Sequence, residues 1–242
     1  MILKSVLTLS RRQFLARFIR PGLLACLLLS LWPAAFLFPQ VSSKADKPNL
    51  QSPAEDLDTR VKRFLESQRY AWRDMNISEA DGRVLYDLVI KNKYTKALEI
   101  GTSTGHSAIW IAWALSKTGG KLITIEIDER RYRQALRNFE AAGLSPWIEA
   151  ILGDAHEVVP KLPGPFDFVF CDADKEWYKN YLIAVLPKLV VGGCFTAHNV
   201  SGTRMWGIRE FLDYLYSLPY METTIDRSSW SGISISYKRQ EK

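Results

Sequence analysis

Cysteine and histidine are both scarce, three of each in 242 residues. Cys26 lies in an apolar run, and Cys171 and Cys194 fall in stretches that read as buried strands, which excludes a disulfide framework and a C-x-x-C metal motif. Cysteine usage therefore leaves the redox compartment open. No internal repeat or low-complexity tract is present. Acidic residues are missing from positions 1–45, where Lys4, Arg11, Arg12, Arg17, Arg20 and Lys44 stand unopposed. Removing these six from the 32 basic residues leaves 26 against 26 acids in residues 46–242, so the whole excess of +6 belongs to the N-terminus. A balanced remainder gives no electrostatic footprint for nucleic acid, and the basic pI points instead to a membrane-facing N-terminus.

From Pro21 to Ser43 there is no charge, and the stretch Leu23 to Phe38 is apolar all round despite Pro33, unlike the one-sided stripe of a core helix. Ahead of it, Ser10-Arg11-Arg12-Gln13-Phe14-Leu15 resembles a twin-arginine export signal, and Ser43-Lys44-Ala45 offers a loose cleavage site. An uncleaved anchor is the rival, since the run approaches the ~20 residues of a spanning helix. Residues 1–45 are thus expected to be a signal or membrane anchor, making the protein membrane-associated or exported. The basic flank places the rest of the chain across the membrane from the cytosol. Pro48 and Pro53 mark residues 46–56 as a linker, and residues 57–242 suffice for one domain.

Two helices are expected before the main sheet, Asp58 to Trp72 and Ser78 to Lys91, the second starting at a Ser-Glu-Ala-Asp cap. Short apolar runs then alternate with helical segments. Strands are expected at Ala97–Ile100, Lys121–Ile127, Ile148–Leu152, Phe166–Cys171 and Cys194–Ala197; helices at Ala108–Leu115, Glu129–Ala142, around Glu157–Leu162, Tyr178–Leu189 and Trp206–Ser217. This is the signature of βαβ units and of a parallel sheet covered on both faces. The last two strands, Met221–Ile225 and Ile233–Tyr237, alternate in hydrophobicity and read as a terminal hairpin. The expected fold class is α/β: a mostly parallel seven-stranded sheet with helices on both faces and an antiparallel C-terminal hairpin, an arrangement that suits the methyltransferase variant of the Rossmann architecture.

At the first strand-to-helix turn stand Glu99, Gly101, Thr102, Ser103, Gly105, His106 and Ser107, where open α/β sheets bind ligands. The glycines are four apart, and Ser103 occupies the place where G-x-G-x-x-G has the glycine that lets backbone approach a pyrophosphate. A phosphate-free cofactor such as S-adenosylmethionine is favoured, its carboxylate meeting the following helix N-terminus and Ser107. Glu126 ends the second strand, where it reads either as the acceptor for both ribose hydroxyls or as a solvated acid; the glycine turn favours the first. Asp154 and Ala155 would flank the adenine, and Asp154 is equally a helix N-cap.

The segment Phe166-Asp167-Phe168-Val169-Phe170-Cys171-Asp172-Ala173-Asp174-Lys175-Glu176-Trp177-Tyr178 is the most specific in the chain. Together with Glu-Ile-Gly-Thr-x-Thr-Gly-x-Ser and Gly-Asp-Ala, it resembles the cation-dependent O-methyltransferases that act on catechols and caffeoyl-coenzyme A, from about Ser78 onward. The resemblance implies that Asp172 is a metal ligand lying near the cofactor's ammonium, that Lys175 is the base for an acceptor hydroxyl, and that the protein is a homodimer. A divalent cation and a lysine of lowered pKa both promote ionisation of the acceptor before in-line methyl transfer. Where the family has Asp-Asn, this chain has His198-Asn199. Either Asp172, His198 and Asn199 hold a metal, with preference moved from Mg²⁺ toward Mn²⁺, Fe²⁺ or Zn²⁺, or there is no metal and His198 is a base or hydrogen-bond partner. His106 is expected to pack and His156 to be solvated. Ser201 to Trp206 would form a lip over the pocket of a small hydroxylated, catechol-like acceptor, with Trp177, Trp206 and Trp230 as walls. The rival readings are a nicotinamide-dependent oxidoreductase and a membrane-attached cofactor-binding protein without catalysis.

Overall fold

The computed structural model describes residues 55–201 and 205–240. The N-terminal signal or anchor, nearly all of the linker and the centre of the lip, Gly202 to Arg204, lie outside the described residues. Two helices come first, α1 (Leu57–Ser67) and α2 (Glu79–Asn92). The alternating series follows: β1 (Lys96–Ile100), α3 (His106–Thr118), β2 (Lys121–Glu126), α4 (Glu129–Ala142), β3 (Ile148–Leu152), α5 (Ala155–Lys161), β4 (Phe166–Cys171), α6 (Tyr178–Val185) and β5 (Leu189–His198). The chain closes with α7 (Trp206–Tyr216), β6 (Met221–Asp226) and β7 (Ile233–Lys238). Among the described residues no helix is long and apolar enough to cross a membrane.

The sheet has seven strands in the order β3-β2-β1-β4-β5-β7-β6. All pairs are parallel up to β5, and β7 runs antiparallel to both β5 and β6, as the hairpin reading expects. The central strands are apolar on both sides because both sides are covered. Phe168 and Phe170 of β4 face a core built with α2, α3 and α4, while Val169 and Cys171 face a second core under α5, α6 and α7. At the amino edge Asp167 locks β4 to β1, its two oxygens accepting the backbone N–H groups of Thr95 (2.7 Å) and Lys96 (2.8 Å).

Several boundaries differ from the sequence reading; α6, expected to reach Leu189, ends at Val185, and Leu189 instead opens β5. Helix α1 stops at Ser67 and not at Trp72; the chain leaves it so that Trp72 can stack on His106, ring centroids 4.4 Å apart. Strand β5 begins at Leu189 and not at Cys194, because Leu189 still pairs with Phe166 ahead of an irregularity in the β4–β5 register. The second helix starts as the sequence expects: Ser78 and Asp81 form a reciprocal capping box.

Candidate active site

Strand order reverses between β1 and β4: β1 connects outward to β2, and β4 outward to β5. The loops after these strands diverge and leave a crevice along the carboxyl edge. Gly101 begins the loop after β1 at φ +99°, and a Cβ there would stand 2.8 Å from the backbone oxygen of Asp172. Only glycine permits both the turn and this approach of the two loops. The resulting cleft has a volume of about 600 Å³ and is lined from the ends of β1, β2, β3, β4 and β5.

Glu126 is buried at the cleft wall, its Oε2 accepting the Ser103 N–H at 2.7 Å and its Oε1 the Asp128 N–H at 2.9 Å. The carboxylate is thereby fixed in orientation while facing the space a ligand would take. Asp154 is both things the sequence offered: it caps α5 through the His156 N–H at 2.9 Å, and it lines the cleft with Ala155. Of the β1 turn, Gly101 and Ser103 reach the cleft, whereas Glu99, Thr102, Gly105 and Ser107 lie outside its lining. Glu99 alternates with Leu98 and Ile100, which enter the α5–α7 core, so its side chain points to the other face of the sheet. There it is fully buried, its Oε2 accepting from Thr124 while Oε1 has no hydrogen-bond partner among the described residues, and burial raises its carboxyl to about 8.

The histidines separate into three roles. His106 packs in the core, Nδ1 against the Ile77 carbonyl at 3.0 Å and Nε2 accepting from Trp110 at 3.1 Å; burial lowers it to about 4. His156, expected to be solvated, is half-buried in the cleft wall and stacks on Trp177 at 3.9 Å, because capped α5 turns it toward the Lys175–Trp177 turn. None of the three tryptophans expected as walls lines the cleft; Trp177, Trp206 and Trp230 are all exposed. Residues without a sequence signal do line it: Met75 and Asn76 from the α1–α2 loop, Arg131, Tyr181 and Ser231.

His198 ends β5 beside the Asp172–Lys175 segment that follows β4. Lys175 Nζ donates to Asp172 Oδ1 at 2.6 Å and to the Ala173 carbonyl at 3.1 Å. His198 Nδ1 lies 3.2 Å from Asp172 Oδ2, a hydrogen bond. Its Nε2 lies 3.2 Å from Oδ2 of Asp81, an ion-pair contact whose angle falls short of a hydrogen bond. Asp81, on the first turn of α2, also accepts from Ser78 and Ser229. Burial alone would raise Asp81, but His198, Ser229 and Ser78 bring it down to about 2. For His198 burial works downward, and the two carboxylates overcome it to give about 9.

A divalent cation at Asp172, His198 and Asn199, which the sequence admitted, is not shown by this arrangement. A ligating imidazole must turn a lone pair to the metal, yet each ring nitrogen of His198 faces a carboxylate oxygen at 3.2 Å. Each ring nitrogen of His198 thus stands against one carboxylate, Nδ1 against Asp172 and Nε2 against Asp81. Both oxygens of Asp172 are also engaged, Oδ1 by Lys175 and Oδ2 by His198. Among the described residues no group of three or more His, Cys, Asp or Glu is placed to hold a metal.

Residues 54–206 match the family model described as O-methyltransferase. The chain belongs to the O-methyltransferase family. Two similar curated members are named catechol O-methyltransferase. One, from Niastella koreensis, is 36% identical over 52% of this chain and 58% of that protein. The other, from Mycobacterium tuberculosis, is 28% identical over 67% of this chain and 80% of that protein. The chain thus aligns with little more than half of the Niastella O-methyltransferase. Among solved structures, the O-methyltransferase from Bacillus cereus in complex with SAH superposes with TM-score 0.64 at 26% identity, covering 78% of this chain and 94% of that one.

Proposed function

We propose that the protein is an S-adenosylmethionine-dependent O-methyltransferase acting on a hydroxyl of a small aromatic acceptor. The observation that carries this reading is the charge of the cleft. Glu126, Asp154, Asp172 and Asp174 line it against Arg131 and Lys175, with Glu126 fixed by two backbone amides. Such a wall repels a pyrophosphate and suits a cofactor that carries a sulfonium, an ammonium and a ribose. That weighs against the nicotinamide reading. The names of the catechol O-methyltransferase relatives support a catechol-like acceptor.

In this reading Glu126 accepts the ribose hydroxyls, Asp154 and Ala155 border the adenine, and Asp172 faces the cofactor's ammonium. Lys175 takes the proton of the acceptor hydroxyl. The oxygen then attacks the methyl carbon in line, the O–C bond forming as the S–C bond breaks, and the sulfonium leaves as a neutral thioether. Calorimetry tests the cofactor directly. The protein should bind S-adenosylmethionine and not NAD(H), and Glu126→Ala should weaken binding about 10- to 100-fold for the loss of a charged hydrogen-bond acceptor. Equal affinity in the variant would remove Glu126 from the site.

A further inference from the structure

We propose that the cavity between α1, α2 and α3 is a second ligand site, for a small aromatic carboxylate, and that it shares a wall with the cofactor cleft. The site stands on its own geometry, and only its link to the cofactor rests on the methyltransferase reading above.

The cavity measures about 430 Å³, within the ~300–1,000 Å³ of small-molecule sites. Its floor is one face of α3, where His106, Trp110 and Trp113 recur at the i, i+4, i+7 spacing that puts side chains on one side of a helix. Trp110 donates its indole N–H to His106 at 3.1 Å, and Trp113 donates its own to Asp58 at 2.8 Å. What these two rings leave to a ligand is π surface, which suits a flat aromatic body. The indole N–H of Trp72, on the adjoining wall, is buried and has no acceptor among the described residues. Such a donor is unfavourable until an acceptor reaches it, and an anion is the strongest acceptor available.

The rim supplies the charge. Lys62 and Arg69 come from α1 and its exit and Arg83 from α2, and against them stand Glu66 and Glu79. Glu66 pairs with Arg69 at 3.0 Å and Glu79 with Arg83 at 2.6 Å, so one cation is in excess. His106 adds none, because burial lowers it to about 4. Both ion pairs are exposed, so their arginines can exchange a protein carboxylate for a ligand's at little cost. Aromatic walls under a rim of surplus positive charge fit an aromatic carboxylate and disfavour a cation.

The wall shared with the cleft is the α1–α2 loop. Trp72 and Ile77 line this cavity, whereas Met75 and Asn76 between them line the cleft. Trp72 stacks on His106, and the Ile77 carbonyl stands 3.0 Å from His106 Nδ1. On the cleft side Asn76 donates to Thr104 at 2.8 Å, and the Asp74 carbonyl accepts from Ser103 at 2.9 Å. Ser103 in turn holds Glu126 through its backbone N–H. A ligand that shifts or stiffens this loop from one side therefore alters the other side as well.

The test is calorimetry of the full chain with 2-naphthoate, which has no hydroxyl to methylate, and with its uncharged counterpart 2-naphthamide. One-to-one binding of the carboxylate tighter than about 1 mM is expected, with the amide at least about tenfold weaker. Lys62→Gln combined with Arg69→Gln should weaken the carboxylate at least about fivefold, and both positions are exposed, so the fold survives the change. No saturable binding, equal affinity for the two probes, or indifference to the double variant would overturn the site. With 2-naphthoate saturating, the Kd for S-adenosylmethionine should move by at least about threefold in the wild type. An unmoved Kd would overturn the shared wall. Failure of S-adenosylmethionine to bind at all would instead defeat the functional reading, and the probe titration would still decide the site.

Discussion

Asp81→Asn isolates the charge of the residue that joins α2 to the site. The residue is 1% exposed, so no water can replace what is lost. Asparagine keeps the volume and can still accept from Ser78 or Ser229, but it leaves the buried ring of His198 with one counter-charge where it had two. Breaking one side of a buried ion pair costs about 3–5 kcal/mol, and the retained hydrogen bonds put the expectation near about 3. For a domain of this size, at ~2–4 °C per kcal/mol, the melting temperature should fall by about 6–12 °C. Calorimetric melts of wild type, Asp81→Asn, His198→Asn and the double variant at neutral pH complete the cycle. Contact between the two residues requires the double variant to lose at least ~1 kcal/mol less than the sum of the singles. A shift of under about 2 °C, or strict additivity, would show that Asp81 and His198 do not sense one another and would refute the pair as an energetic unit.

Other outcomes follow from the same geometry. Gly101→Ala should destabilise by about 1–3 kcal/mol in urea unfolding and weaken S-adenosylmethionine binding, since φ +99° and the 2.8 Å approach to Asp172 forbid a Cβ; wild-type values for both would contradict the turn. Lys175→Ala should abolish methyl transfer to catechols while cofactor binding by calorimetry stays within about threefold, and near-normal turnover would take Lys175 out of the mechanism. Stability should be nearly level between about pH 4.5 and 6.5 and fall above it, because Glu99, raised from 4.5 to about 8 by burial, loses its contribution as pH rises and offsets the gain from His106. His106 stays neutral in the fold down to about 4 whereas the unfolded chain takes a proton below 6.5, so its contribution is lost as pH falls across that window, by at most about 3 kcal/mol. His198 holds its proton up to about 9, so its contribution is complete below 6.5 and is lost as pH rises toward 9. Denaturation midpoints from pH 4.5 to 9 check both ranges, and His106→Gln should turn the level stretch into a decline as pH rises.

The sheet was legible because its physics is local: short apolar runs buried on both faces, separated by helices with their own caps, permit little but a covered parallel sheet. Gly101, Glu126, Asp154 and Asp172 were readable for the same reason, since each sits where a strand ends. Glu99 was not, because a strand buried on both sides has no polar alternation to show which face a carboxylate takes. Asp81 looked like a cap and nothing more. Its second role depends on His198 and Ser229, which the chain brings to it only after the sheet has assembled. Met75 and Asn76 belong to a loop with no periodicity, and only its hydrogen bonds to Ser103 and Thr104 show that it roofs the cleft.

Because one carboxylate ties the front of α2 to the last hairpin loop and to the end of β5, the leading helices of this fold are wired into its chemistry. A chimera that exchanged them for those of a relative would carry off the counter-ion along with the scaffold. Change at position 198 is therefore expected to call for a matching change at position 81, which stands 3.2 Å from it.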